Sequence, residues 1–291
     1  MTEEKRVNIA AGTAADEEAQ REEDAQRDAF FAELDASVGG VGNGGINMMA
    51  AFAVYSRLPV PKMQLSRENL RYALCCFPFV GLVIGIAEIL WFLIAQGAGF
   101  SAVLRAGGMT LIPLLISGGI HMDGFLDTAD AIASRGTKER RLQIMTDPHT
   151  GSFAIIGCCA YLLAQLAVYT EADLADAGVI ACVFFLSRAL GGYAALTIEA
   201  AQDPGFLQIF LKASDGETGK KILLLEAVLS AILMIVISPK RGIIGIIFVL
   251  AAFLICRRNI RQKFGGMTGD LQGFLILICE LAAAYAVILL P

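Results

Sequence analysis

ALCCFPFVGLVIGIAEILWFLIAQ, residues 73–96, decides the fold class of this chain. The stretch is apolar over its whole length apart from Glu88 and the glutamine at its end. About 20 helical residues cross the hydrocarbon layer of a bilayer, so a run of this length predicts a membrane-spanning helix.

Six further apolar runs follow, at residues 107–120, 151–170, 178–198, 222–238, 242–256 and 271–290. The runs at 107–120 and 242–256 are short, which leaves a tilted helix, a half-helix or a re-entrant segment open there. A content of 56% hydrophobic and 18% charged residues is far from that of an average soluble domain. We therefore expect an all-α, polytopic transmembrane helical bundle with about seven spans.

Residues 1–47 form a separate region. They contain eleven acidic and four basic side chains, a net charge of −7, so the rest of the chain carries +2 against −5 for the whole. We expect a disordered or weakly helical acidic N-terminal tail, ending in the flexible linker GGVGNGGIN, followed by an integral membrane domain at 48–291. A partner-docking helix in the tail stays open as the alternative.

The loops between the predicted spans divide into two sets by charge. One set holds fifteen lysines and arginines and the opposite set holds three. Basic residues are retained on the cytoplasmic side, so this bias predicts a cytoplasmic N-terminus and an external C-terminus. The polar motifs then face the cytoplasm.

Three aspartates follow one another closely in GGIHMDGFLDTAD, residues 118–130. Asp123, Asp127 and Asp130 are spaced i, i+4, i+7, which puts them on one face of a helix. Three carboxylates repel each other at a membrane boundary unless they are solvated, protonated or neutralised. A hard divalent cation such as Mg²⁺ is the natural neutraliser, and a solvated helix end is the alternative.

Further charged residues extend this group. Asp147 lies in MTDPHTGS beside His149, and Asp270 lies in GGMTGD. His121 would point about 160° away from Asp123 on a helix, so contact with the substrate or support of another side chain fits it better than metal ligation.

Two ionisable residues lie inside predicted spans, which makes each a functional-site hypothesis. Arg188 and Glu280 could serve the site, or they could pair with each other. Arg57, Arg188 and the run RRNIRQK, which contains Lys263, are candidate phosphate contacts. A pure topology signal would also explain most charges of the run.

Six segments together resemble the cobalamin synthase family, also called adenosylcobinamide-GDP ribazoletransferase. They are FAVYSRLPVP (52–61), FPFVGLVIG (77–85), GGIHMDGFLDTAD (118–130), MTDPHTGSFA (145–154), SRALGG (187–192) and GGMTGDLQGFLILICE (265–280). The similarity runs from about residue 48 to the end, and only the tail falls outside it.

This resemblance implies a multi-pass transferase of the cell (plasma or inner) membrane that joins adenosylcobinamide-GDP to α-ribazole or its 5′-phosphate, releases GMP and requires Mg²⁺. It implies metal ligands among Asp123, Asp127, Asp147 and Asp270. Asp130 is the expected base, with Asp127 and His121 as further catalytic residues. The expected substrate contacts are Arg57, Arg188, Lys263, His149 and Glu280. No nucleic acid partner is expected, and a homo-oligomer or a complex with other cobalamin-pathway enzymes stays open.

Two other functions remain as alternatives. A CDP-alcohol phosphotransferase would use similar metal chemistry, but this chain lacks the fuller D-G-x2-A-R pattern of that family, because Phe125, Leu126 and Asp127 follow Gly124. An ion-coupled transporter could use Asp130, Arg188 and Glu280 as a relay. The chain shows no internal repeat, and its acids cluster at one predicted membrane face, which argues against a transporter.

Overall fold

The computed structural model describes residues 43–61, 70–147, 149–201 and 207–290. Within these ranges the chain is all-α, as predicted, with a single β-bridge between Ala200 and Met267. The helices are α1 (Asn43–Tyr55), α2 (Ala73–Gly97), α3 (Ala102–Ser117), α4 (Ile120–Ala133), α5 (Lys138–Met145), α6 (Ser152–Thr170), α7 (Leu174–Thr197), α8 (Leu207–Ala213), α9 (Gly216–Ile237), α10 (Pro239–Asn259) and α11 (Gly269–Leu289), with a π-helical turn (Ile260–Phe264) after α10.

The predicted acidic tail lies outside the described residues, except for its last part. Helix α1 begins at Asn43, inside the segment that the sequence predicts to be a flexible linker. Gly44 and Gly45, the two glycines of the segment that lie in α1, do not prevent a helix, because α1 packs along α2 and gains stability from that contact.

The outer surface of the bundle is apolar. Val236 on α9 is 72% exposed, Leu115 on α3 is 70% exposed, and Leu163 on α6 is 65% exposed. Such contiguous apolar surface is typical of a face that contacts lipid. Together with the length of the helices, it makes the chain a multi-pass membrane protein.

Among the described residues, five helices are long and apolar enough to cross a membrane: α2, α6, α7, α10 with its π-helical turn, and α11. Helices α3 and α4, bent by 97° between them, pass the same test only as one broken span. Helix α9 carries Lys220, Lys221 and Glu226. Its apolar part after Lys221 is about 24 Å long at 1.5 Å per residue, short of a hydrocarbon layer of about 30 Å.

Contacts between helix ends show that α9 nevertheless crosses the bundle. The end of α7 and the start of α11 meet at the Ala200–Met267 bridge, and Arg71 before α2 pairs with Asp215 before α9 at 2.9 Å. We call this end of the bundle the site end. At the opposite end, Arg241 at the start of α10 pairs with Asp173 before α7 at 2.7 Å. Helix α9 therefore runs from the site end to the opposite end, and α10 runs back.

The same reasoning applies to α3. Near its start, Arg105 donates to the carbonyl oxygen of Ala172, which precedes α7 at the opposite end. Near its end, the Ile116 carbonyl lies beside Arg57 at the site end. In the described part of the chain, seven helices thus run between the two ends of the bundle, of which length and composition alone identify five, or six with the broken α3–α4 pair.

Candidate functional site

A pair of glycines turns the chain from α3 into α4. Gly118 and Gly119 have φ angles of 67° and 81°, in the left-handed region that favours glycine. The backbone of Arg57 is fixed beside this turn because its N–H donates to the carbonyl of Ile116 at 2.8 Å. The side chain of Arg57 covers Gly118 so closely that a Cβ there would overlap it. The turn therefore places an exposed arginine next to the start of α4.

Helix α4 carries the three predicted aspartates. It runs without a break through Asp123, Asp127 and Asp130, so their spacing puts them on one face. Asp123 is exposed, and the other two are half-buried. The carboxylate of Asp127 is electrostatically repelled by those of Asp123, Asp130 and Asp270.

Asp270 joins this group from α11. It lies in the first turn of that helix, after Thr268, whose hydroxyl accepts a hydrogen bond from the N–H of Leu271 at 3.2 Å. Gly124 on α4 lets the two helices approach closely, because a Cβ at that position would lie 2.5 Å from the Cα of Asp270. Asp270 is also electrostatically coupled to Asp123. The structure thus brings Asp123, Asp127, Asp130 and Asp270 together as one acidic group at the site end.

The loop before Asp270 is fixed on both sides. The backbone N–H of Met267 donates to the carbonyl oxygen of Glu199 at 2.8 Å, and the carbonyl oxygen of Met267 accepts from the N–H of Ala201 at 3.1 Å. On the other side, Arg141 of α5 donates to the carbonyl oxygen of Lys263 at 3.1 Å. Sequence reasoning did not identify Arg141 as an anchor, since its contact joins residues that are far apart in the chain.

Asp147 and His149 pair with each other in the loop before α6. Asp147 accepts hydrogen bonds from the backbone N–H and the ring of His149, both at 2.9 Å, and the two side chains are 53% and 91% exposed. These bonds hold the pKa of Asp147 below its usual value. The charged groups that act on Asp147 are His149 and Arg140 rather than the four aspartates. Asp130, in contrast, lies against Gly151, two residues after His149.

His121 points into the protein, away from the exposed Asp123. It is 5% exposed, packs edge-on against Phe77 with ring centroids 5.5 Å apart, and lies against Gly273 of α11. Its Nε2 has no hydrogen-bond partner among the described residues. This orientation agrees with the expected separation between His121 and the aspartate face.

Arg188 and Glu280 pair with each other in the interior, which the sequence left open as one of two readings. Their side chains are 1% and 2% exposed, and Arg188 Nη1 lies 2.7 Å from Glu280 Oε1. The hydroxyl of Ser187 donates to the same oxygen at 2.8 Å. The pair connects α7 to α11 and lies apart from the exposed acidic group.

The acidic group fits a magnesium ion in its donor chemistry. It offers only carboxylate oxygens, and within the described ranges none of its four members forms an ion pair with a base. No three histidine, cysteine, aspartate or glutamate side chains of the described residues converge closely enough to hold a metal ion by themselves. Mg²⁺ commonly uses one or two protein carboxylates and completes its shell with water and substrate phosphate, so this spacing is compatible with it.

Comparisons with known proteins cover nearly all of the described chain. A family model described as cobalamin-5-phosphate synthase matches residues 47–288. A protein of Lachnoclostridium phytofermentans named adenosylcobinamide-GDP ribazoletransferase is 38% identical over 243 residues, which are 84% of this chain and 93% of the relative. Proteins of the same name from Clostridium botulinum and Escherichia coli are 28% and 29% identical, over 82% of this chain and 95% and 98% of their own lengths. No solved structure matches.

Proposed function

Because the chain belongs to the cobalamin-5-phosphate synthase family, we propose that it is a membrane-embedded adenosylcobinamide-GDP ribazoletransferase. It transfers the cobinamide phosphate of adenosylcobinamide-GDP to α-ribazole or α-ribazole 5′-phosphate and releases GMP. The observation that carries this proposal is the acidic group at the junction of α4 and α11, four carboxylates without a basic partner in the described chain, inside the region that the family shares.

We assign Asp123, Asp127 and Asp270 as the residues that hold Mg²⁺. Their mutual repulsion and their oxygen donors support this assignment. A bound ion would neutralise charge on the diphosphate of the donor. A ligand role for Asp147 stays a prediction, since its present contacts are with His149 and Arg140.

Asp130 is the proposed general base. Its carboxylate lies against Gly151, at the edge of the group where α6 begins. In the reaction, the ribazole hydroxyl oxygen forms a bond to the cobinamide-side phosphorus, and its proton passes to Asp130. The bond from that phosphorus to the bridging oxygen breaks, and GMP leaves with the bonding electron pair.

Arg57, Lys263 and His149 are the proposed phosphate contacts. Arg57 is held at the α3–α4 turn, and Lys263 belongs to the π-helical turn that leads to Asp270. His149 is exposed and close in sequence to Gly151, which contacts Asp130. The burial of Arg188 and Glu280 favours a structural role for that pair over substrate contact.

The site end is proposed to face the cytoplasm of the cell that carries the protein in its plasma membrane. The described lysines and arginines of the basic loops lie at the site end, while Arg105, Lys240 and Arg241 lie at the opposite end. This distribution supports the orientation through the retention of positive charge inside.

Release of GMP is the direct test of the function. Purified full-length protein is incubated with adenosylcobinamide-GDP labelled in the GMP part, with α-ribazole or its 5′-phosphate, in MgCl₂ or in EDTA. We expect labelled GMP together with the corresponding cobalamin product in the MgCl₂ samples only. GMP release that does not depend on a ribazole acceptor, or turnover of CDP-alcohols alone, would contradict the proposal. Full activity in EDTA would contradict the magnesium assignment and leave the transferase assignment intact.

A further inference from the structure

A second group of polar residues lies inside the bundle, apart from the carboxylates of the proposed active site. Its central residue is Glu88 of α2, which is 0% exposed. Neither carboxylate oxygen of Glu88 has a hydrogen-bond partner among the described residues. Ionisation of such a carboxylate has a high free-energy cost, because neither water nor a hydrogen-bond donor compensates for the loss of hydration.

The charges around Glu88 do not neutralise it. The charged residue that acts on it electrostatically is Glu280, which is itself an acid. The charge of Glu280 is itself balanced by Arg188, which forms an ion pair with it at 2.7 Å, so Arg188 has no spare charge for a second acid. Glu88 therefore leaves one unbalanced negative charge in the membrane interior if it is ionised.

Other ionisable groups of the helices around α2 are engaged elsewhere. On α3, Arg105 packs over the ring of Phe92 at 4.8 Å and donates to the carbonyl oxygen of Ala172. On α9, Glu226 acts on Cys75 and Cys76 at the other end of α2. Neither group supplies a positive charge to Glu88.

Two tyrosines of α6 complete the polar group. Tyr169 is electrostatically coupled to both Glu88 and Glu280, and its hydroxyl accepts a hydrogen bond from Gln165 at 3.2 Å. Tyr161 is coupled to Glu280, and its buried hydroxyl has no partner among the described residues. The second oxygen of Glu280 is also buried and unpartnered in the described chain. Glu280 and Tyr169 thus lie within electrostatic reach of Glu88, and both carry oxygens that can accept a hydrogen bond.

We propose that Glu88 is a proton-binding site, a carboxylic acid that stays protonated at neutral pH inside the bundle. Of the two buried acids, Glu280 keeps the negative charge because Arg188 and Ser187 both donate to it. The proton on Glu88 removes the repulsion between the two buried acids. Glu280 then keeps its ion pair with Arg188, which joins α7 to α11, the helix that carries Asp270.

A monovalent metal ion could in principle balance the same charge, and the two cases can be separated. A metal ion needs a shell of converging oxygen ligands, whereas a proton needs only one oxygen. Infrared spectroscopy distinguishes them directly, because the carbonyl stretch of a protonated acid differs from the stretches of a carboxylate.

The test compares infrared spectra of the full-length protein in lipid nanodiscs at neutral pH, with and without NaCl or KCl. We expect a protonated-acid band that neither salt changes and that disappears in Glu88→Gln. The control is Glu171→Gln, which neutralises an exposed acid at the end of α6 and should leave the band in place. Glu88→Asp keeps the acid and should move the band.

Three results would overturn the proposal. In the first, the wild-type minus Glu88→Gln difference shows carboxylate bands instead of an acid band. In the second, NaCl or KCl removes the acid band, which would identify a metal ion as the ligand. In the third, Glu88→Asp leaves the band unmoved. Glutamine is neutral and has the shape of the acid, so failure of Glu88→Gln to fold while Glu171→Gln folds would also contradict a neutral Glu88.

Discussion

At the scale of single residues, Asp127 is the most informative member of the acidic group. It is half-buried, and the three other carboxylates of the group all repel it. Asp127→Asn removes one negative charge and weakens one donor while it preserves the volume of the side chain. We expect GMP release to fall by at least about a hundredfold. Mutation of a residue that only hydrogen-bonds to a metal ligand already lowers activity by up to about that factor, and loss of the ligand itself should lower it further.

The control for Asp127→Asn is Glu217→Gln at the site end. Glu217 is 79% exposed and pairs with Lys220 on the surface of α9, away from the acidic group. This variant should retain wild-type turnover. Both variants should insert into the membrane and unfold at the wild-type temperature. Wild-type rates in Asp127→Asn would remove the metal assignment.

The sequence predicted some of these residues well and others poorly, for a physical reason. The spacing of Asp123, Asp127 and Asp130 determines their common face as soon as α4 is a helix. The contact of Gly124 with Asp270 depends instead on how α4 packs against α11. The spacing of residues within one helix carries no information about that packing. For the same reason, the pairing of Arg188 with Glu280 could be recognised only as one of two alternatives.

At the scale of helices, the distance between α4 and α11 determines whether the acidic group exists. Gly124 makes this distance small, since a Cβ there would meet the Asp270 backbone at 2.5 to 2.7 Å. Gly124→Ala should therefore separate the two helices and lower turnover, while the lipid-facing surface stays unchanged. We expect an activity loss with a higher Mg²⁺ requirement, measured by GMP release across a MgCl₂ titration.

Gly107→Ala is the matched control for this helix contact. Gly107 is also helical, on α3, and a Cβ there would meet nothing within 4 Å. The same chemical change should leave both turnover and the Mg²⁺ requirement unaltered. Equal effects of the two alanines would show that close approach at Gly124 is not what assembles the group.

At the scale of the whole molecule, the N-terminal tail should be dispensable for chemistry. The family match begins at residue 47, and the acidic group is built from α4 and α11. Deletion of residues 1–40 changes the net charge of the chain from −5 to +2 and removes none of the proposed site residues. We expect an unchanged kcat for GMP release in protein that is inserted and folded. A large loss of turnover in folded, truncated protein would contradict a tail without a role in catalysis. It would favour the alternative, a docking helix in the tail that acts close to the site.

The number of crossings fixes the side on which the C-terminus lies. Seven crossings put the end of α11 on the opposite side from the acidic group, whereas six would put them on the same side. Composition alone supports only five or six spans, because α9 begins with a charged turn and α3 is short. The Ala200–Met267 bridge holds both ends of this segment at the site end, and Arg241 pairs with Asp173 at the opposite end, so α9 leaves the site end and α10 returns to it. This long-range contact restores the count that the apolar runs of the sequence had indicated.

Fusions of alkaline phosphatase, which is active only outside the cytoplasm, test this topology. We expect an active enzyme when it is fused after Leu290 and an inactive one when it is fused after Gly136, in the basic loop between α4 and α5. Green fluorescent protein fused at the same positions should give the reverse pattern, which controls for expression. Activity at both positions would mean an even number of crossings between Gly136 and Leu290, as expected if α9 fails to cross. An inverted pattern would keep an odd number of crossings after Gly136 but place the acidic group outside, where the proposed cytoplasmic substrates could not reach it.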